Sequence, residues 1–231
     1  MAELKVLSAG AVKTGVAKMA EQYARDRGTP VNVEFTTAPG VRDRVAGGET
    51  PDLVVAPPAF LDDLAQAGRL VADTRSFLGR ARMGVVVHAD SPITSVAGVD
   101  ELKRMLIDAT AVVRNKASSG LYTAKLLDKL GLTDILSSRL VVVASGADIM
   151  VYVADHGPDA IGLAQISEIR VLIAKGLPIR LAGPLPDAVQ NVTSYEAAAV
   201  AGREQEAAAA DLARYMSTPE AKAVFASTGI D

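Results

Sequence analysis

The sequence predicts an α/β fold of two lobes, each a mostly parallel sheet flanked by helices, joined by a two-strand hinge. Three observations carry this. Strand-sized apolar runs alternate with helix-length amphipathic segments along most of the chain, as in successive βαβ units. Two long apolar runs, residues 83–88 and 193–200, break that rhythm and read as the crossing from one α/β series to the next and back. Small and hydroxyl-bearing residues recur where strands give way to helices.

Taken in order, residues 4–8 read as a buried strand. Residues 12–27 read as a helix with Val16, Met19, Ala20 and Tyr23 on one face, stopped by Gly28 before Pro30. A strand over 31–36, a short helix over 41–46 ended by Gly47-Gly48, a strand over 53–56 after Pro51-Asp52, and a helix over 59–67 closed by Gly68 follow. After the strand 83–88 and the break Ala89-Asp90-Ser91-Pro92, the second series has helices over 99–108, 118–130, 147–154 and 167–175. Its strands are 111–114, 140–143 and 160–164. Residues 179–185 and the loop 186–191 lead into the strand 193–200, after which only helices remain, 204–216 and 219–227. The first lobe is therefore expected to be discontinuous, residues 1–84 plus 199–231, with 85–198 as the second and a ligand cleft between the lobes.

Composition excludes several classes of function. A chain of 231 residues, 49% hydrophobic and 22% charged, can bury a sizeable core, and a net charge of -3 argues against a nucleic-acid surface. Without cysteine there is no disulfide, thiolate nucleophile or cysteine-ligated metal, and two distant histidines, His88 and His156, argue against a zinc site. No cofactor is implied. The first strand starts almost at the amino terminus, with no signal peptide in the sequence as written, so the expected location is periplasmic if a signal has been removed and cytoplasmic otherwise. Apolar runs fall short of the roughly 20 residues of a membrane helix. The paired acids Asp62-Asp63 and Asp100-Glu101 sit near helix starts, where negative charge is stabilised in any case. Neither a nucleophile elbow nor a phosphate-binding glycine loop with its lysine is present.

The stretch Val6-Leu7-Ser8-Ala9-Gly10-Ala11-Val12-Lys13 runs from a strand through small residues straight into a helix. Backbone N–H groups at such a junction lie at the positive end of the helix dipole and can hold an anion without a charged side chain. Small residues serve close helix–strand packing equally well, so recurrence carries the argument. Thr36 and Thr37 mark a second junction, Ser118 and Ser119 a third, and Ala147 lies in a fourth, Val143-Ala144-Ser145-Gly146-Ala147-Asp148. Such groups at the carboxyl ends of α/β strands mark the usual ligand crevice. Lys13, Arg42 and Lys116 sit in or beside first turns of helices, where the dipole opposes a cation by about 0.3 to 1 kcal/mol. An anion offsets that cost, and ammonium and guanidinium groups suit carboxylates or phosphates.

From residue 4 to residue 229 the chain resembles a divergent member of the periplasmic molybdate-binding protein family of ABC transporters, bacterial extracellular solute-binding proteins of the type II periplasmic-binding fold. The likeness rests on the strand-Ser8-Ala9-Gly10-Ala11-helix opening, Phe35-Thr36-Thr37, Pro51-Asp52-Leu53-Val54-Val55, Ser119-Gly120-Leu121-Tyr122, Lys129-Leu130-Gly131 and Ile161-Gly162-Leu163. The tail Tyr215-Met216-Ser217-Thr218-Pro219-Glu220-Ala221 with Phe225 and Gly229 is the most telling match. What the resemblance implies is a protein that closes around a small anion held by hydroxyls and backbone amides, with an ABC permease as partner if the chain is exported. Ala11 stands where the family usually places a first-helix serine, and Gln165 where it usually places a tyrosine. A small carboxylate or another oxyanion is the ligand these changes and the three cations point to. The class-different alternative is a cytosolic enzyme, or a ligand-responsive regulator, acting on a small carboxylate with the same fold.

Overall fold

The computed structural model describes residues 2–231, and the chain divides into two units. The first comprises the residues through Ala81 with Thr193–Asp231, the second Arg82–Val192. Each is an α/β sheet with helices on both faces.

In the first unit, β1 (Leu4–Ala9), β2 (Val31–Thr36) and β3 (Leu53–Ala56) run parallel, and β9 (Val192–Ala199) returns antiparallel beside β3. The alternation of side chains sorts the core into two layers. Leu4, Val6, Leu53, Val55, Ala197 and Ala199 face α1 (Lys13–Arg27), α8 (Glu206–Tyr215) and α9 (Pro219–Ser227). Leu7, Val54, Ala56 and Ala198 face α2 (Ala38–Ala46) and α3 (Pro58–Gln66). Strands covered on both faces read as continuous apolar runs, which is why the sequence reveals them so readily. α1 ends where Gly28 takes a left-handed conformation, φ 66°. At its other end Gly15 lets Phe225 of α9 pack directly on the helix backbone: a Cβ there would lie 2.5 Å from the ring Cε1.

The second unit has the order β4-β7-β5-β6, with β8 (Ile179–Pro184) also on β4. β5 (Ala111–Asn115) pairs in parallel with β6 (Leu140–Val143) and β7 (Ala160–Gln165), whereas β4 (Ser76–His88) is antiparallel to β7 and β8. α4 (Val99–Asp108) and α5 (Ser118–Lys129) cover the Val112, Ile161 and Leu163 face. α6 (Gly146–His156) and α7 (Ile166–Ala174) cover Val86, Val113 and Ala164.

Three expectations are corrected. The strand expected over 83–88 begins at Ser76, seven residues of it hidden in sequence by exposed Phe77, Arg80 and Arg82 and by Gly79. These residues pair with the far end of the chain, through the Ala81–Ile230 bridge and the Asp231 N–H donating to the Arg80 carbonyl at 2.9 Å, a partner no local pattern predicts. The expected division at 84/85 moves to 81/82, because Met83 to Val87 pair with β7. That at 198/199 moves to 192/193, because Glu196 to Ala199 pair with β3.

One packing contact gives an expected result. The Tyr23 hydroxyl of α1 donates to Asp211 Oδ2 of α8 at 3.1 Å, and its pKa is pushed up to about 12 by burial and then by the Asp211 charge. Tyr23→Phe should lower stability by about 1 kcal/mol, read as a small drop in denaturant midpoint with the slope unchanged.

Candidate functional site

In the first unit the register of β1 on β2 sets Ala9 beside Thr36. The turn after β1 and the turn after β2 thus lie next to each other at the carboxyl edge of the sheet. After Ala9 the chain makes one 3-10 turn, Gly10–Val12, before α1, and neither start carries a side-chain cap. Gly10 and Ala11 are partly exposed there. Ser8 lies a step too early: its side chain is fully buried and its hydroxyl donates to the Ala9 carbonyl at 3.2 Å, so it braces the turn. Lys13 is exposed at the start of α1, with its ammonium 5.2 Å above the Phe35 ring.

Thr37 is the N-cap of α2, its Oγ1 accepting the Gly40 N–H at 3.1 Å, while Pro39 fills the first turn. α2 therefore starts at Ala38, ahead of the expected 41. Gly40, absent from the expected site residues, is what lets both threonines close on this turn, since a Cβ would stand 2.5 Å from Thr36 Oγ1 and 3.1 Å from Thr37 Oγ1. Arg42 is engaged locally, with Nε and Nη2 both 2.8 Å from Asp43 Oδ1 and the guanidinium 5.1 Å above the Phe60 ring. A groove elsewhere on this unit, lined by Lys5, Asn32, Glu34, Glu49 and Thr50, contains none of the expected site residues.

In the second unit β5 and β7 end side by side, and α5 and α7 spring from those ends. Asn115 organises the first of these helix starts. Its buried Oδ1 accepts the Ala117 N–H at 3.0 Å and the Gly120 N–H at 2.9 Å, and its Nδ2 donates to Ser119 Oγ at 3.2 Å. Ser119 is thereby committed to the turn. Ser118 is different: its Oγ is buried with no hydrogen-bond partner among the described residues. Lys116 is exposed in the short loop before α5.

Arg114, which the sequence reading passed over, reaches the same helix start, where its Nη1 donates to the carbonyls of Asn115 at 3.3 Å and Gly120 at 3.4 Å. Its Nε is buried without a partner. The available signal was a lone arginine in the otherwise apolar run Ala111-Val112-Val113-Arg114.

At the end of β7, Gln165 is 2% exposed and its Oε1 has no partner. It is also the N-cap of α7 and makes no capping bond with its side chain. Three residues on, Glu168 lies against the first residue of α6, its Cδ where it would stand 2.5 Å from a Cβ on Gly146. The carboxylate has neither a hydrogen bond nor an ion pair among the described residues, and burial pushes its pKa up to about 7. Ala147 is exposed in the same first turn of α6. That helix start already holds a capping box, with Ser145 Oγ accepting the Asp148 N–H at 3.3 Å and Asp148 Oδ2 accepting the Ser145 N–H at 2.8 Å. The fourth junction therefore already carries two of the protein's own acids, Asp148 and Glu168, where the sequence reading saw unclaimed donors.

Among the described residues no cluster of three or more His, Asp or Glu could hold a metal ion, and no helix is long and apolar enough to cross a membrane.

The comparisons with known proteins agree on one architecture. Residues 4–231 match the family described as bacterial extracellular solute-binding protein. The chain superimposes on the periplasmic molybdate-binding protein of Azotobacter vinelandii with a TM-score of 0.82 at 18% identity, covering 99% of this chain and 98% of that one. The sulfate-binding protein SubI of Mycobacterium tuberculosis H37Rv gives 0.79 at 16% identity, with coverage of 100% and 86%. A tungstate ABC transporter structure from Geobacter sulfurreducens gives 0.76 at 13% identity, with coverage of 97% and 98%. A search of curated protein sequences finds no match. At these identities the structures speak for the fold, and the match along the sequence speaks for the family: the chain belongs to the bacterial extracellular solute-binding proteins, with a type II periplasmic-binding fold.

Proposed function

We propose that this protein binds a small oxyanion or carboxylate with donors drawn from its strand-end turns and hands it to an ABC permease in the periplasm. The observation that carries the reading is the pairing of Ala9 with Thr36, which sets the uncapped start of α1 beside the two threonines crowded on Gly40. Backbone amides and hydroxyls arranged at helix starts are suited to anions. Further support comes from the titles of the similar structures, which name molybdate, sulfate and tungstate. Lys13 and Lys116, both exposed, add positive charge at the mouths of these turns.

A melting screen tests this. Molybdate, tungstate, sulfate and phosphate are set against mono-, di- and tricarboxylates. At about a hundred times its dissociation constant a true ligand adds roughly 2.7 kcal/mol and raises Tm by several degrees. The shift should fall by half or more in Gly40→Ala, whose new methyl displaces the Thr36 hydroxyl. No stabilisation by any anion would overturn the proposal.

A further inference from the structure

We infer that the charge of the bound anion is met by Arg114, whose guanidinium takes two of the anion's oxygens at the start of α5. This rests on the anion-binding reading and deepens it: the ligand is selected by a fixed cation in the second unit, not by hydroxyls and amides alone.

A buried polar atom without a partner is rare in a folded protein and marks a place where a partner from outside the chain belongs. Among the described residues such atoms are Arg114 Nε, Ser118 Oγ and Gln165 Oε1. All three belong to the second unit, and side-chain alternation puts the two strand residues on one face of its sheet. Val112 of β5 and Leu163 of β7 pack towards α5, so Arg114 and Gln165, each two residues further along, project to the same side. β5 and β7 are parallel neighbours with Val113 opposite Gly162, which sets both residues at adjoining carboxyl ends. The bond from Arg114 Nη1 to the Gly120 carbonyl, in the first turn of α5, agrees with that direction. Ser118 opens the same turn.

The positive charge of this corner has no counterpart in the chain. Arg114 makes no ion pair among the described residues; its hydrogen bonds go to the carbonyls of Asn115 and Gly120. The first turn of α5 contains no acid, whereas that of α6 contains Asp148. Of the N–H groups that α5 cannot satisfy internally, Asn115 Oδ1 takes those of Ala117 and Gly120, which leaves those of Ser118 and Ser119. A guanidinium beside such a helix start is opposed by the dipole, and an anion between them relieves both. Because Nη1 is tied to two backbone carbonyls, the guanidinium is held in place while Nε and Nη2 make no hydrogen bond. Those two nitrogens form the fork that fits two oxygens of a carboxylate or of a tetrahedral oxyanion. A lysine would supply the charge without the fork.

Titration calorimetry at pH 7.5 tests this with molybdate, tungstate, sulfate and phosphate against acetate, succinate and citrate, and the tightest binder tells the tetrahedral class from the carboxylates. For that anion Arg114→Lys should raise Kd about tenfold and Arg114→Gln about a hundredfold. Arg139→Gln is the structural control. Arg139 Nη1 likewise bonds two backbone carbonyls, those of Ile107 and Ala109, but at the opposite end of β5, and its loss should leave Kd within about twofold. Ser118→Ala removes a hydroxyl that has no partner in the chain, so it should leave Tm within about 1 °C while raising Kd about fivefold. It decides the matter if the Arg114 variants do not melt cooperatively. A Kd that changes less than about twofold in the folded Arg114 variants, or in Ser118→Ala where those do not fold, would overturn the inference and leave anion binding standing. If none of these anions binds the unaltered protein, the anion-binding reading itself fails.

Discussion

Replacing Gly120 with alanine is expected to cost about 3 to 5 kcal/mol and to lower Tm by roughly 10 °C. The reason is steric and local. A Cβ at this position would overlap the backbone carbonyl oxygen of Asn115, a rigid atom that cannot rotate aside as a side chain would. Relieving the clash means moving the start of α5 off the end of β5. That breaks the Gly120 N–H bond to Asn115 Oδ1 and the Arg114 bond to the Gly120 carbonyl together, leaving buried polar groups unpaired. Circular dichroism melts of the intact protein measure it. A change of under 1 kcal/mol would mean that β5 and α5 have slack the packing does not reveal. Ligand binding should weaken along with stability, because Ser118 and Lys116 flank the same turn.

Glu168→Gln has the opposite sign, and its effect depends on pH. The folded-state pKa is raised from 4.5 to about 7, so between those values the folded chain holds a proton that the unfolded chain has released. Stability therefore falls as pH rises through this window, the reverse of the usual carboxylate, and the penalty is complete above about pH 7. Its ceiling is roughly 3 kcal/mol. Removing the charge should then stabilise the protein by about 2 to 3 kcal/mol at pH 8 and change little at pH 4. Denaturant melts of both proteins across pH 4 to 8 check this; parallel curves would show that Glu168 is solvated in the folded chain. An uncompensated acid retained beside a helix start is costly, and such costs are tolerated chiefly where function needs them.

The sequence by itself determined the alternation of strands and helices, and several elements stand where it put them: β3 at 53–56, α4 at 99–108, β6 at 140–143 and α9 at 219–227. It also carried the family, through the opening Ser8 to Ala11 and the tail with Phe225. This is because burial imposes a period on the chain, and that period is written locally. Local spacing also located the strand-to-helix junctions, so Thr37 and Ser118 could be singled out before any fold was known, whereas Gln165 came only from the family resemblance. What each residue does there was decided by partners remote in sequence or turned by the backbone. Ser8 and Ser119 look like ligand hydroxyls and are spent on the Ala9 carbonyl and on Asn115. Arg42 looks like a crevice cation and lies on Asp43 and Phe60. The first half of β4 needs the carboxyl terminus beside it to be a strand at all. Glu168 reads as an ordinary acid in a first helical turn, and only the packing of α7 against α6 sets its carboxylate on Gly146 without a donor. Hydrogen bonds and charges act over a few ångströms in space, so tertiary structure chooses which of many chemically similar side chains remain unsatisfied and open to a ligand.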